Sequence, residues 1–290
     1  KKIYFVFLLI FSISFNQYYG NLGVCPIDSF WFFNSGYDAL NGYYPFKDYW
    51  TIAGPFITFS QAIFFKILDV TWFSYVLHAS LFNFLITIST FLIFNKLKLN
   101  LHYSFFYSLM VGILAYPSAG TPYVDHHASI LSIIALFIFI LAIKTNLKIY
   151  WFFLPIVLFV SFLTKQTPTG HIFIIISVLS IIYFLFNFNI YKIILGFIGS
   201  ITIITLFFLI LFFYEISFSS FFDQYILFPM SIGKIRFEYF LFPLEFSRLF
   251  LRYKLIHFPL FILMYISFKN IKYNLSYIKS NDFLVILSLI

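Results

Sequence analysis

Long apolar segments separated by short polar stretches recur along the whole chain. A helix needs about 20 apolar residues to cross the hydrocarbon layer of a membrane, with a range of about 17–25. Apolar segments occur at about 3–15, 52–68, 70–94, 102–118, 127–143, 149–163, 171–187, 193–214, 255–268 and from 283 to the end. Tyrosine and tryptophan at the edges of several segments are typical of the membrane interface. The pattern therefore predicts an all-α polytopic membrane protein.

The segment 52–68 is ambiguous, because it contains Pro55, Gln61 and Lys66. Cytoplasmic loops of membrane proteins are enriched in lysine and arginine. If 52–68 lies along the interface or re-enters without crossing, the short loops with the lysines fall inside, and nine of the ten acidic residues fall outside. If it crosses, this asymmetry disappears. We therefore predict eight spans and the start of a ninth, a cytoplasmic N-terminus, and a first outer loop over about 16–69.

The spans form one predicted transmembrane domain over residues 1–290. The first apolar segment is interpreted as a span, because no small-x-small cleavage pattern follows it. The chain starts with Lys1 and Lys2, without a methionine, and it stops at Ile290 inside an apolar run. We therefore expect the protein to continue beyond Ile290.

Composition agrees with a membrane protein and excludes several other classes. The chain is 62% hydrophobic and 10% charged, whereas soluble domains carry about 25% charged residues. The only cysteine, Cys25, excludes an intrachain disulfide, a CxxC redox site and a thiolate zinc site. The net charge of +8 comes from residues scattered between apolar runs, without a basic stripe. We therefore predict no nucleic-acid partner, and membrane lipids as the surroundings.

The long first outer loop contains the first candidate residues for chemistry. Asp28 follows a proline and opens an aromatic-rich stretch that is predicted to be helical and to end at Gly42. One interpretation makes Asp28 the N-cap of that helix. The other makes it a general base held at the membrane surface. Lys47 and Asp48, further along the same loop, are candidate contacts for a substrate or a metal.

A second candidate group, Asp125, His126 and His127, opens a long apolar segment. One interpretation is an N-cap by Asp125 with two interfacial histidines. The other makes these residues ligands for a polar substrate or a metal. A carboxylate with imidazoles suits several divalent ions, so the pattern does not identify the metal.

Lys165 is the third candidate, and it stands beside Gln166 at the outer end of a predicted span. A lone interfacial lysine can extend its ammonium group to the membrane surface. It can equally bind the phosphate of a lipid-linked substrate. Arg236, with Arg248 and Arg252 in the same amphipathic stretch 215–254, offers further cations for that phosphate.

The order of these elements resembles the GT-C superfamily of membrane glycosyltransferases. The closest resemblance is to glycosyltransferase family 39, the relatives of protein O-mannosyltransferases and lipid A aminoarabinose transferases. It covers about residues 1–190 and rests on the following elements: Asp28 in the first outer loop, Gly-Tyr-Tyr-Pro-Phe-Lys-Asp over 42–48, Gly54-Pro55 before an apolar helix, Asp-His-His over 125–127, and Lys-Gln-Thr-Pro over 165–168. The resemblance implies a GT-C-like bundle with juxtamembrane helices in the first outer loop.

The resemblance also implies an activity, the transfer of a hexosyl or pentosyl group from a polyprenyl-phosphate donor. The acceptor would be a lipid, glycan or protein on the periplasmic side of a bacterial inner membrane. Asp28 takes the family's catalytic-base position. Many relatives have an Asp-Glu pair there, whereas this chain has Asp28-Ser29, so a role for a second acid would pass to Asp48 or Asp125. No cofactor is implied except a divalent cation as an open alternative.

The chemistry of such a transfer suits the same residues. A carboxylate deprotonates the acceptor, and a cation stabilises the departing phosphate. We therefore expect Asp28 to act as the base, Lys165 with Arg236 to bind the donor phosphate, and Asp125 with His126 to shape the sugar or metal site. A single carboxylate that activates the acceptor predicts inversion at the anomeric carbon.

Two other classes of protein are weighed against this prediction. A transporter or lipid flippase should have charged residues deep in its spans, and the centres of 70–94, 127–143, 171–187 and 193–214 have none. A structural or assembly protein would not need Asp28, Asp125 and Lys165 to lie close together.

Overall fold

A computed structural model describes residues 1–23, 26–145, 147–239, 254–273 and 275–289. This part of the chain is almost entirely helical and contains no β-strand. Its α-helices are α1 (Lys2–Gly20), α2 (Pro26–Leu40), α3 (Pro55–Leu68), α4 (Trp72–Lys96), α5 (Leu101–Leu114), α6 (Val124–Lys144), α7 (Ile149–Phe162), α8 (Gln166–Phe186), α9 (Ile190–Phe213), α10 (Phe218–Phe222), α11 (Phe228–Tyr239), α12 (Lys254–Tyr273) and α13 (Asn281–Leu289). A π-helical turn, Asp223–Leu227, joins α10 to α11, and a 3-10 turn, Leu275–Lys279, precedes α13.

Five of the described helices, α1, α4, α6, α8 and α9, are long and apolar enough to cross a membrane. Many of their large apolar side chains are exposed, which suits lipid rather than water as the surrounding solvent. The prediction of an all-α membrane protein is therefore confirmed. The shorter helices α3, α5 and α7 have 14 residues each. At about 1.5 Å per residue each extends about 21 Å, so length alone does not separate α3 from the other two.

Helices α1, α4 and α5 form one packed group, and a buried amide holds it together. Asn83 of α4 donates hydrogen bonds to the carbonyl oxygens of Ser12 (3.0 Å) and Gly112 (2.8 Å). These contacts join α4 to α1 and to α5. In a membrane, polar side chains of this kind stabilise helix pairs because lipid offers them no hydrogen bonds.

Helices α6, α7, α8 and α9 form a second group around an aromatic and aliphatic core that includes Phe139, Trp151, Leu158 and Tyr183. Helix α9 approaches α7 very closely at Gly199. A Cβ atom there would lie 2.1 Å from the carbonyl oxygen of Phe152, so only glycine fits.

The two ends of this bundle differ in composition. We call the end at which α6 and α8 begin the loop end, because the loop 115–123 and the turn 163–165 lie there. The opposite end, at which α7 and α9 begin, is the lysine end. It contains Lys144, Lys148, Lys192 and Lys279.

Both ends of α3 lie at the loop end. At its start, the amide of Phe56 donates to the carbonyl oxygen of Leu163 (3.2 Å). After its last residue the chain turns into α4, where the indole of Trp72 donates to the carbonyl oxygen of Gly20 (3.0 Å). Gly20 in turn packs against Gly120 in the loop 115–123. This arrangement is what a non-crossing segment 52–68 requires.

Candidate functional site

Lys165 and Asp125 form an ion pair at the loop end, with the lysine Nζ 2.5 Å from the aspartate Oδ1. Asp125 lies in the first turn of α6 and Lys165 immediately precedes α8. The N-cap interpretation of Asp125 is wrong, because α6 begins at Val124 and Tyr123 occupies the cap position. Lys165 pairs with a carboxylate instead of extending alone to the membrane surface. The two side chains are 32% and 42% exposed, so a ligand can reach both.

Asp28 lies in the first turn of α2, which begins at Pro26. The N-cap interpretation of Asp28 is therefore also wrong by position, although a carboxylate in a first turn still interacts favourably with the helix dipole. The next residue fixes this turn in space. Ser29 is buried, its hydroxyl lies 3.0 Å from the Thr121 hydroxyl, and its carbonyl oxygen accepts from the Tyr75 hydroxyl at 2.7 Å.

These contacts bring Asp28 to the loop that leads into α6. Thr121 precedes Asp125 by four residues, so the start of α2 lies beside the segment that ends at the Asp125–Lys165 pair. Packing of the Phe32 ring against Tyr123, with centroids 5.9 Å apart, holds the next turn of α2 on the same loop. Asp28, Asp125 and Lys165 therefore all lie at the loop end.

His126 follows Asp125 in the first turn of α6 and contacts the loop 115–123. Its Nε2 lies 3.2 Å from the Ser118 hydroxyl, and its ring lies between those of Tyr116 and Tyr123, with centroid distances of 5.3 and 5.8 Å. The Nδ1 atom is inaccessible to solvent and has no hydrogen-bond partner among the described residues. His126 therefore retains hydrogen-bonding capacity at the loop end.

His127 does not lie at the interface, because it is completely buried and belongs to a string of hydrogen bonds. We call the residues Tyr116, His127, His78 and Gln61 the histidine string. The Tyr116 hydroxyl lies 2.5 Å from His127 Nδ1, His127 Nε2 lies 3.2 Å from His78 Nε2, and His78 Nδ1 lies 2.8 Å from Gln61 Oε1. The string joins the loop 115–123 to α6, α4 and α3.

The orientation of the Gln61 amide, with its oxygen towards His78, sets the direction of the hydrogen bonds in the histidine string. Gln61 Oε1 is only an acceptor, so His78 donates from Nδ1 and its Nε2 accepts. In that arrangement His127 donates from Nε2, and its Nδ1 accepts from the Tyr116 hydroxyl while lying 3.2 Å from the Tyr123 carbonyl oxygen. Burial raises the pKa of Tyr116 well above its ordinary value, so this hydroxyl keeps its proton. It also accepts from the Tyr123 amide at 2.9 Å, which completes the string with neutral groups.

The sequence analysis did not name Tyr116, His78 or Gln61 as parts of one site. His78 offered the clearest signal, because an imidazole inside an apolar span is rare and requires a partner. The spacing of residues in sequence could not identify that partner. His78 and His127 are 49 positions apart and meet only through the packing of α4 on α6.

Lys47 and Asp48 lie in a different part of the structure from the Asp125–Lys165 pair. Lys47 Nζ lies 3.0 Å from Glu215 Oε2 and 3.3 Å from the Tyr214 carbonyl oxygen, just after α9. The hydrogen bond with Glu215 raises the pKa of Lys47 above its ordinary value. Asp48 accepts from the Tyr44 amide at 2.7 Å within its own turn. The contacts described for these two residues tie the first loop to α9, and none of them is with Asp125 or Lys165.

The segment after α9 also docks at the loop end. Gln166 donates to the Tyr225 carbonyl oxygen at 2.5 Å, and the Tyr225 hydroxyl donates to the Phe162 carbonyl oxygen. Arg236 lies in α11, but its side chain is outside the described part of the chain. Arg248 and Arg252 lie wholly outside the described residues.

Metal binding at Asp125 and His126 gains no support from their surroundings. Among the described residues, no three histidine, cysteine, aspartate or glutamate side chains come together as a metal site would require. The Asp125 carboxylate is instead bonded to Lys165.

The helices and the ionisable groups at their loop end define an all-α integral membrane protein with a candidate site at one end of its bundle. Comparison of the chain with protein-family models, with curated proteins and with solved structures finds no match. The resemblance to GT-C glycosyltransferases therefore remains a prediction.

Proposed function

We propose that the protein is a membrane glycosyltransferase of the GT-C type, which takes its sugar from a polyprenyl-phosphate donor. One observation carries the proposal. A lysine–aspartate pair, Lys165 with Asp125, lies at the loop end, where the loop 115–123 that leads into Asp125 contacts the first turn of α2, with Asp28. A base and a phosphate-binding cation at the same end of the bundle are the two groups that this transfer needs.

The proposed reaction is a single displacement. An acceptor hydroxyl attacks the anomeric carbon and transfers its proton to the Asp28 carboxylate. The bond from that carbon to the phosphate oxygen breaks, and its electron pair leaves with the polyprenyl phosphate. Lys165 stabilises the negative charge that develops there. Attack opposite the leaving group inverts the anomeric carbon.

Asp125 and His126 complete the proposed site. In the absence of donor, Asp125 neutralises Lys165 at 2.5 Å, and a bound phosphate would share or take that contact. Arg236 is proposed as a second cation for the phosphate. His126 would contact the sugar through Nε2, the ring atom that lies 3.2 Å from the Ser118 hydroxyl. A divalent cation is not needed when Lys165 supplies the positive charge.

The proposal places the loop end on the periplasmic face of a bacterial inner membrane. The support is the distribution of charge, with lysines at the lysine end and most acids on the other side. A polyprenyl chain would lie along the lipid-facing surface while its phosphate reaches Lys165. The acceptor would be a lipid, a glycan or a protein.

The test uses the purified full chain in lipid nanodiscs with a panel of farnesyl-phosphate-linked hexoses and pentoses. Transfer is measured as release of farnesyl phosphate in the presence of candidate acceptors. The Asp28→Asn variant should lose at least about 100-fold in turnover, because it removes the base. Yield and thermal stability should not change.

Asp38→Asn is the matched control, because it removes the same charge from the same helix. Asp38 lies ten residues from Asp28, which is about 15 Å along a helix at about 1.5 Å per residue. It should retain activity. Equal turnover in the Asp28→Asn variant and the wild type would exclude Asp28 as the base, and no release with any sugar would contradict the proposed function.

Transport of a lipid-linked sugar is the alternative, and the buried polar groups argue against it. Transport needs a polar path along the spans. The amides and imidazoles inside this bundle, Asn83, His78 and His127, bond to one another or to backbone carbonyls and so hold helices together. A flippase reconstituted into lipid vesicles would move the farnesyl-phosphate sugar across the membrane without releasing farnesyl phosphate.

A further inference from the structure

Lys192 at the lysine end is a buried cation without a carboxylate partner among the described residues. Its side chain is 8% exposed, and its Nζ donates to the Tyr183 hydroxyl at 2.9 Å. An ammonium group has three N–H donors, so a single phenol oxygen leaves two of them unused. A buried charge is normally paired with an opposite one, because burial without a partner is costly.

Among the described residues, the side chains around Lys192 add a further donor but no acceptor of opposite charge. Its Nζ lies 5.3 Å from the centre of the Tyr183 ring, on which Trp151 stacks at 5.4 Å. The indole Nε1 of Trp151 is also buried and has no acceptor in the described part of the chain. Two unsatisfied donors therefore belong to side chains that contact the same tyrosine.

The lysine end is also positively charged as a whole. Lys148 lies over the Tyr191 ring at 4.5 Å and Lys279 over the Phe186 ring at 5.6 Å. Lys144 pairs with Asp282, the one acid described there. Lys144, Lys148, Lys192 and Lys279 with Asp282 carry a formal charge of +3 among themselves.

We propose that the lysine end binds a phosphate group through Lys192, with Lys148 and Lys279 as outer contacts, and that the phosphate belongs to an anionic membrane lipid. A phosphate oxygen would occupy the unused donors of the ammonium group. The lipid source is favoured because Phe188 and Tyr191, 74% and 63% exposed, flank the lysines with apolar surface suited to acyl chains. This site lies at the end opposite Asp28 and does not depend on the proposed function.

The experiment measures lipid binding to the purified full chain by native mass spectrometry. The probes are phosphatidylglycerol, phosphatidylcholine and inorganic phosphate, each titrated separately. We expect phosphatidylglycerol to bind at least about tenfold more tightly than phosphatidylcholine. The Lys192→Met variant, which keeps the length and apolar stem of the side chain, should lose about tenfold in affinity for phosphatidylglycerol.

Two further variants keep the test decisive if Lys192→Met fails to fold. Lys148→Met and Lys279→Met change exposed or half-buried positions outside the core, and together they should weaken binding at least about threefold. Lys66→Met removes an exposed lysine from the last turn of α3, at the loop end, and should bind as the wild type does.

The outcomes separate the sources of the phosphate. Selective binding of phosphatidylglycerol that depends on Lys192 supports the proposal. Competition by inorganic phosphate at equal concentration would overturn the lipid assignment, because the acyl chains would then contribute nothing. Wild-type affinity in the Lys192→Met variant, or in the double variant Lys148→Met/Lys279→Met, would overturn the site itself.

Discussion

At the scale of single residues, the histidine string stabilises the loop end, because each of its side chains forms a hydrogen bond with the next one. Two imidazoles, a phenol and an amide are completely buried, and each forms a hydrogen bond with a neighbouring side chain, although Gln61 Nε2 has no partner among the described residues. A buried polar group that loses its partner costs about 1–3 kcal/mol, whereas replacing both partners by apolar groups is nearly neutral. The string should therefore behave as one unit.

Substitution of the two histidines tests this unit. His78→Leu leaves His127 Nε2 without an acceptor and should lower the free energy of unfolding by about 1–3 kcal/mol. His127→Leu should have a similar effect. The double variant should cost clearly less than the sum, measured by thermal unfolding in detergent as a double-mutant cycle. Additive effects would contradict the coupling, and Leu85→Ala, on the exposed face of α4, serves as the control.

The Lys165–Asp125 pair makes a separate prediction for catalysis. Lys165→Met should lower kcat by about 100-fold or more, because it removes the cation beside the departing phosphate while leaving sugar contacts intact. Asp125→Asn should have a smaller effect, below about tenfold, since Lys165 stays charged. Both are measured as release of farnesyl phosphate.

Lys144→Met is the matched control for that prediction, because Lys144 is 31% exposed, is also paired with a carboxylate and lies at the opposite end of the bundle. It should keep full activity. A change confined to KM in the Lys165→Met variant would mean that this lysine binds the donor without stabilising the transition state.

At the scale of elements, most helices could be predicted from hydrophobic pattern alone. The predicted segments 70–94, 127–143 and 171–187 correspond to α4, α6 and α8, because a continuous apolar run of this length has few alternatives to a helix. The residues at which the helices begin were harder to predict. Asp28 and Asp125 lie inside first turns, since α2 starts at a proline and α6 starts at Val124. Helix boundaries depend on local contacts that hydropathy does not record.

The contact between α7 and α9 gives a prediction with a control in the same helix. Gly199→Ala would place its Cβ atom 2.1 Å from the Phe152 carbonyl oxygen, so α9 must move away. We expect a loss of about 1–3 kcal/mol in the free energy of unfolding. Gly196→Ala, whose Cβ atom would lie 3.6 Å from the Trp151 carbonyl oxygen, should be neutral or slightly stabilising. Equal effects at the two glycines would contradict the close approach.

At the scale of the whole molecule, the distribution of charged residues predicted which loops share one end of the bundle. It did not predict which side chains contact each other, because those contacts depend on how the helices pack. The lysines of the short loops meet at one end because the helices between them alternate in direction. The approach of Asp28 to the loop before α6 depends on Ser29, Thr121 and Tyr75, which have no unusual spacing in the sequence. Long-range contacts of this kind follow from packing and cannot be deduced from periodicity.

The placement of α3 decides the topology of everything that follows it. If α3 does not cross, both of its flanks face the side of the loop end, and the lysines of the later loops face the other side. Single cysteines at Leu22, Ala53, Val70 and Leu97, introduced after Cys25→Ser, test this with a membrane-impermeant maleimide on oriented vesicles.

Labelling should occur from one side at Leu22, Ala53 and Val70, and from the opposite side at Leu97. The reason is that the start of α3 contacts Leu163, and the chain after α3 leads to Trp72, which contacts Gly20. The 25 residues of α4 then extend about 37 Å, enough to reach the other surface. Labelling of Ala53 and Val70 from opposite sides would mean that α3 crosses the membrane. The lysines after α4 would then face the same side as Ala53, and the positive-inside argument for a periplasmic site would fail with it.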